Sequence, residues 1–455
     1  MAMTPTTAVQ NAAPTEDIAA WVAGTRADQI DADALRWARH CLLDWFAVTI
    51  PGAHEDLTGI LVEEALADEA SGRIPVVGRA EGLTPSWAIL VNGAASHALD
   101  YDDVNQAVHG HATVAVMPAV LIAGAAQGKA LDDVLRAFVV GYEVACLVGE
   151  MTGDAHYDSG WHATATIGTF GAAAGTAWLM GLDADQTAHA LGTAATSAAG
   201  LKSMFGTMCK PFHAGRAAQS GYLAARTAAR GWVARTDALE CAQGFWDTQG
   251  RGGEAPFPVA RQDNQRFQIH DNLFKYHAAC YMTHSTIEAC GQVRTAHAPA
   301  PDDIEKVRVR IAEPHLKICN IPDPATGLEI KFSLRHLAAM ALTGVDTAAI
   351  ENYSDAMAKR TDLVALRQRV VVEPQKVERL MTTGAEVVVE TRDTAFTNAF
   401  DVGIPATDTD AQEARLSAKF DALVAPIMGG QRSAALKAMC LAAEVSPMDL
   451  LKGSQ

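Results

Sequence analysis

Apolar residues recur at helical spacing from Thr15 to about Thr49, where Pro51-Gly52 supplies a stop. The same periodicity predicts helices from Ser86 to His97, Ala112 to Gln127, Leu131 to Met151, His162 to Leu179, Ala184 to Leu201 and Ala214 to Arg230, with another from Lys275 to Thr295. Small residues dominate several of them. The run GTFGAAAGTAW at Gly168 to Trp178 combines alanine, which favours helix, with glycine, which removes side-chain bulk at an entropic penalty, so close helix packing is expected. Glycine, proline and polar residues concentrate from Asp247 to Gln262, the pattern of a surface crossing. Beyond Ala300 the texture changes: IEKVRVRI at Ile304 to Ile311 alternates as a strand does, and Val377 to Thr391 holds a second strand-bearing region. Helical patterns from Lys331 to Gly344 and Tyr353 to Arg369 lie between them. The resulting expectation is a mainly α protein, with a large all-helical core domain over 1–268, a smaller α+β lid domain over 269–403, and a return to the core over 404–455.

Composition narrows the function classes. Against 36 Lys and Arg stand 53 Asp and Glu, and the net charge of -17 disfavours broad attraction to nucleic acid or an anionic membrane, though a local basic pocket can still hold a small anion. The opening residues show no basic segment followed by an apolar stretch, so no targeting peptide is expected. Val114 to Ala126 is strongly apolar but is interrupted by Pro118 and flanked by His109, His111 and Lys129, which suits a buried helix better than a membrane span. Eight cysteines form no CxxC pair, so reduced thiols, a cytoplasmic setting and no disulfide framework are expected. No glycine-rich phosphate loop follows a strand, which argues against a nucleotide cofactor.

Four basic clusters interrupt the acidic chain: His109 with His111, His162, the run from Lys202 to His213, and Lys275 through His284. Brought together, they could anchor a small carboxylate substrate on lysine and exchange one of its protons with histidine near neutral pH. Lys210 and His213 are three apart and fall on neighbouring faces if a helix begins there, so His213 is a candidate to bind the substrate or orient Lys210. Cys280 and His284, four apart, invite a metal reading, but a compact closed ligand set is missing and no metal is expected.

The motifs HALDYDD at His97 to Asp103, GYEVA at Gly141 to Ala145, GWHATATIGTFGAAA at Gly160 to Ala174, CKPFHAGRAAQSG at Cys209 to Gly221 and KFSL at Lys331 to Leu334 resemble the MmgE/PrpD superfamily over nearly the whole chain. Its members include 2-methylcitrate dehydratases, cis-aconitate decarboxylases and iminodisuccinate epimerases. The resemblance implies a helical domain with an α+β lid, a homodimer, di- or tricarboxylic substrates and no organic cofactor or catalytic metal. It carries catalytic roles to His111, His162 and Lys210, the acidic loop to Asp100 and Asp103, and a lid-proximal substrate region to Lys275 and His277. Ala112, and His277 itself, stand where proline is common in the family, so the resemblance does not set the substrate.

These residues suit proton abstraction next to a carboxylate. His111 and His162 divide base and acid duties, while Lys210 and Lys275 hold negative charge. Asp100 or Asp103 can orient His111 or cap the loop, and a carboxylate near Ala112 gains about 0.3–1 kcal/mol from the helix N-terminus. The leading expectation is that hydroxide is then eliminated from the β-carbon, as in a dehydratase. Loss of carbon dioxide or return of the proton to the opposite face gives a decarboxylase or an epimerase. A non-catalytic dimeric carboxylate-binding protein is the alternative from another class.

Overall fold

Side-chain caps and left-handed glycines set the ends of helices whose existence the periodicity foretells. The computed structural model describes residues 13–250, 266–377 and 382–455. The chain forms two compact units, one comprising the segment up to Asn272 with Val424–Gln455, the other Leu273–Leu423. The opening segment through residue 12 and residues 251–262 of the expected crossing lie outside the described residues.

The larger unit is mainly helical. The first expected helix becomes two, Pro14–Gly24 and Ala32–Gly52, because the Asp31 carboxylate accepts from the Ala34 N–H at 2.7 Å and starts a new helix. Helices Ala112–Gln127 and Ala163–Met180 end at Gly128 and Gly181, whose φ of 68° and 70° glycine adopts without a Cβ clash. The helix expected from Ala214 instead begins at Cys209, which takes Lys210 and His213 into its opening turns. A short ribbon of strands Ser71–Pro75 and Gly82–Leu83 adds the unit's β-structure among the described residues.

Helix Ala163–Met180 is its centre, packed by Ala112–Gln127, Leu131–Asp158 and Cys209–Ala228. Burying Phe170 within it contributes about 2 kcal/mol. The glycines explain the tight crossings. A Cβ on Gly141 would lie 2.5 Å from the Gly171 carbonyl oxygen, and one on Gly93 would lie 2.8 Å from Gly215 Cα. The second contact ties helix Pro85–His97 to the helix that carries Lys210.

The smaller unit is α+β. Its four-stranded sheet runs Val370–Gln375, Ile304–Ala312, Ala385–Thr391, Ala395–Phe400; the first pair is parallel and the others antiparallel. Alternation along Ile304–Ala312 sends Val307, Val309 and Ile311 into a core shared with Val387, Val389, Leu334 and Leu337. Arg308 and Arg310 face the other way and pair with Glu390, Glu373 and Glu386.

Local patterning misjudged several elements here. The helix expected from Tyr353 to Arg369 is two pieces, Asp355–Ala358 and Thr361–Arg367, and strands Val370–Gln375 and Ala395–Phe400 had no clear apolar alternation. The helix expected from Lys275 starts only at His284, with Tyr281–Thr283 a single tight turn before it. Earlier backbone donors are claimed elsewhere: Ala278 N–H by Thr347 O at 2.9 Å and Cys280 N–H by Lys331 O at 3.0 Å. Lys275 and His277 therefore lie on irregular chain. All eight cysteines are free, and among the described residues no helix is long and apolar enough to cross a membrane.

Candidate active site

The loop after helix Pro85–His97 returns to the start of helix Ala112–Gln127, so His97, Asp100, Asp102, Asp103 and His111 converge. His111 N-caps its helix, and its own N–H donates to Thr164 Oγ1 at 3.1 Å. Its ring Nδ1 lies 2.7 Å from the Asp103 carbonyl oxygen and 2.8 Å from Asp102 Oδ2. A carbonyl only accepts, so Nδ1 carries the proton and Nε2 is bare when the ring is neutral. That Nε2 stands 3.8 Å from Asp100 Oδ1, and the same oxygen receives the Lys210 ammonium at 2.8 Å. Asp100 adopts φ 52°, a conformation strained for a residue with a Cβ.

His162 caps helix Ala163–Met180, anchored by its N–H to the Gly200 carbonyl at 3.0 Å. Its Nδ1 meets His213 Nδ1 at 3.1 Å, so one ring donates where the other accepts. Phe205 stands edge-on at 5.0 Å, and the His97 ring stacks at 5.8 Å. Burial, then the charges of His97, Lys210, His111 and His213, hold His162 well below the usual imidazole range; burial lowers His213 as well. Both are neutral at pH 7.

The structure thus brings together Asp100, His111, His162, Lys210 and His213. Asp103 is placed differently from its neighbours: its carbonyl meets His111, while its carboxylate accepts from Thr113 Oγ1 at 2.6 Å and Asn272 Nδ2 at 2.8 Å. Burial, then nearby Asp44, push that carboxyl up to about 7. Between the usual 3.8 and about 7 it is more protonated folded than unfolded, so its stabilisation is present in acid and lost as the pH rises through about 7. Urea unfolding is expected to show stability declining between about pH 4 and 7 by this route, with a flatter profile in Asp103→Asn. An unchanged slope in the variant would assign the decline to other groups.

Lys275 and His277 belong to the second unit. Lys275 is buried there, and its charge adds to burial and His277 in lowering His284. His277 places Nδ1 2.7 Å from Thr347 Oγ1 and Nε2 3.3 Å from Glu288 Oε1, on a cavity of about 700 Å³. Burial works to raise Glu288, but hydrogen bonding and charge from His277, with Arg415, bring it down to about 2. His109 pairs with Asp154 at 2.7 Å, and Lys202 donates to the Tyr157 carbonyl at 2.9 Å.

Two residues that sequence reasoning passed over occupy the middle of the cluster. His97 Nδ1 lies 3.0 Å from both oxygens of Asp102, and both side chains are buried. Burial works to raise Asp102, yet His111 and then His97 hold it well below the usual carboxylate range. The HALDYDD motif contains both residues, but its spacing alone does not say which acid faces which imidazole. Among the described residues, His97, Asp100, Asp102 and His111 are the group whose ligand atoms, all within 4.8 Å, could hold a metal ion. Their contacts fit hydrogen bonding better, because both imidazoles direct Nδ1 at Asp102 and an ammonium already sits on Asp100. Cys280 and His284 belong to no such group among the described residues.

Comparison with known proteins agrees with the motifs. Residues 16–257 match the MmgE/PrpD N-terminal domain and residues 277–444 the MmgE/PrpD C-terminal domain. A cis-aconitate decarboxylase of Aspergillus terreus is 31% identical over 288 residues, which cover 60% of this chain and 59% of that protein, less than two thirds of its length. A cis-aconitate decarboxylase of Mus musculus is 25% identical over 403 residues, 85% of this chain and 82% of that one. With both domains matched across most of its length, the chain belongs to the MmgE/PrpD family.

Proposed function

We propose that this protein is a lyase acting on a small di- or tricarboxylic acid, using its own imidazoles and ammonium groups to move a proton at carbon next to a carboxylate. One observation carries the reading: a histidine with a bare Nε2 and a lysine ammonium both border the same Asp100 oxygen. A substrate carboxylate attracted to Lys210 would lie beside the His111 base. His162 and His213, sharing one proton between their Nδ1 atoms, form the second proton-handling group. Lys275 and His277 remain candidate carboxylate contacts on the family resemblance alone.

Decarboxylation of a cis-aconitate-like acid is the favoured branch, supported by the relatives' named activity. The bond to the departing carboxyl breaks and carbon dioxide leaves. Its electron pair remains as a carbanion delocalised toward a neighbouring carboxylate, and an imidazolium returns a proton to carbon. Lys210 holds the carboxylate that takes up the charge. Dehydration uses the same groups in another order: an imidazole takes the α-proton, and hydroxide leaves with a proton from the second group.

Full-length protein incubated with cis-aconitate, citrate and 2-methylcitrate in deuterated water, followed by NMR, tests the reading. Carbon dioxide release with one deuterium placed on carbon is the expected result. Loss of hydroxyl without carbon dioxide would transfer the assignment to dehydration, and inversion without net loss to an epimerase. Binding of these acids without turnover or deuterium exchange would favour a carboxylate-binding protein.

A further inference from the structure

We propose that His97 and Asp102 are positioning residues: one buried carboxylate, clamped between two imidazoles, locks His111 with its proton on Nδ1 and its Nε2 bare. The inference rests on the reading of His111 as the proton-carrying group, but its geometry stands independently. Asp102 lies 3.0 Å from His97 Nδ1 and 2.8 Å from His111 Nδ1. An ionised carboxylate only accepts, so each ring must present an N–H to it.

A second observation fixes the His97 tautomer. Its Nε2 is buried and has no hydrogen-bond partner among the described residues. A buried N–H without an acceptor is rarer than a bare lone pair, so the proton belongs on Nδ1, facing Asp102. The rings differ in exposure, 0% for the His97 side chain and 11% for His111. Burial, only partly opposed by Asp102, lowers His97 to about 4, which keeps it a neutral donor. His111 instead stands between two carboxylates, with Asp102 at its Nδ1 and Asp100 at its Nε2. His97 holds the carboxylate without itself touching substrate, and its ring, 4.7 Å from that of His111, also braces the orientation.

Imidazole nitrogen NMR on the unaltered, histidine-labelled chain reads the tautomers directly, with resonances assigned from single histidine variants. Protonated Nδ1 and bare Nε2 on both His97 and His111 are expected; an Nε2-bound proton on neutral His97 would overturn the clamp. Kinetics on the acid that is turned over give the functional arm. In His97→Asn the amide nitrogen falls near the original Nδ1 and keeps the donor, so most turnover survives. In His97→Gln the nitrogen reaches the Nε2 position instead, and kcat is expected to fall about 10- to 100-fold with KM little changed, as for outer partners of other working imidazoles. If a folded His97→Asn falls as far as His97→Gln, the donor role is wrong. Absence of turnover on the whole acid panel would remove the functional reading, while the imidazole spectra would still uphold or overturn the clamp.

Discussion

His111→Ala is expected to lower kcat/KM for the acid substrate by about 10²- to 10⁴-fold, the range for loss of a positioned general acid or base. The alanine removes the bare Nε2 that borders Asp100 and the N–H that meets Asp102 and the Asp103 carbonyl. Asp102 keeps its contacts with His97, so its charge is not left unaccompanied and the fold should persist. Steady-state kinetics beside circular dichroism separates the two effects. Deuterium incorporation at substrate carbon should fall in parallel with turnover. A folded variant that keeps activity within a few-fold of the parent would remove His111 from the chemistry.

Lys210→Met should act chiefly on binding. The ammonium lies 2.8 Å from Asp100 and its side chain is 15% exposed, so removing it leaves a carboxylate at the place where an anionic substrate is proposed to dock. Attraction is replaced by repulsion, partly screened because the Asp100 side chain is 45% exposed. An increase in KM of about 10- to 100-fold is expected, equivalent to about 1.4–2.7 kcal/mol. Lys210→Arg, which keeps the charge but changes its shape, should recover part of the loss. Equal KM values for all three proteins, measured with the same acid, would place the substrate carboxylate elsewhere.

The helices of the large unit were legible because their signals are local. Apolar spacing marks a helix wherever the buried face repeats, and Gly128 and Gly181 mark ends because their left-handed backbone suits glycine. The smaller unit was less legible. Strand Ala395–Phe400 is half exposed, and it is defined by its pairing with Ala385–Thr391. The chain around Lys275 has helical periodicity, yet its backbone donors are taken by residues about fifty to seventy positions away.

The candidate site divides in the same way. Residue type and motif pointed to His111, His162, Lys210, Asp100 and His213. They could not show that Asp103 offers its carbonyl to His111, that Asp102 faces His97, or that two histidines 51 residues apart meet at Nδ1. By itself the amino-acid order determined most helices of the larger unit and the inventory of proton-carrying and cationic groups, which short-range spacing and residue type encode directly, and its motifs carried the family. Only the tertiary structure decided which nitrogen of each ring is held and which is bare. That choice depends on partners supplied by distant segments, and hydrogen-bond direction exists only once those segments are packed together.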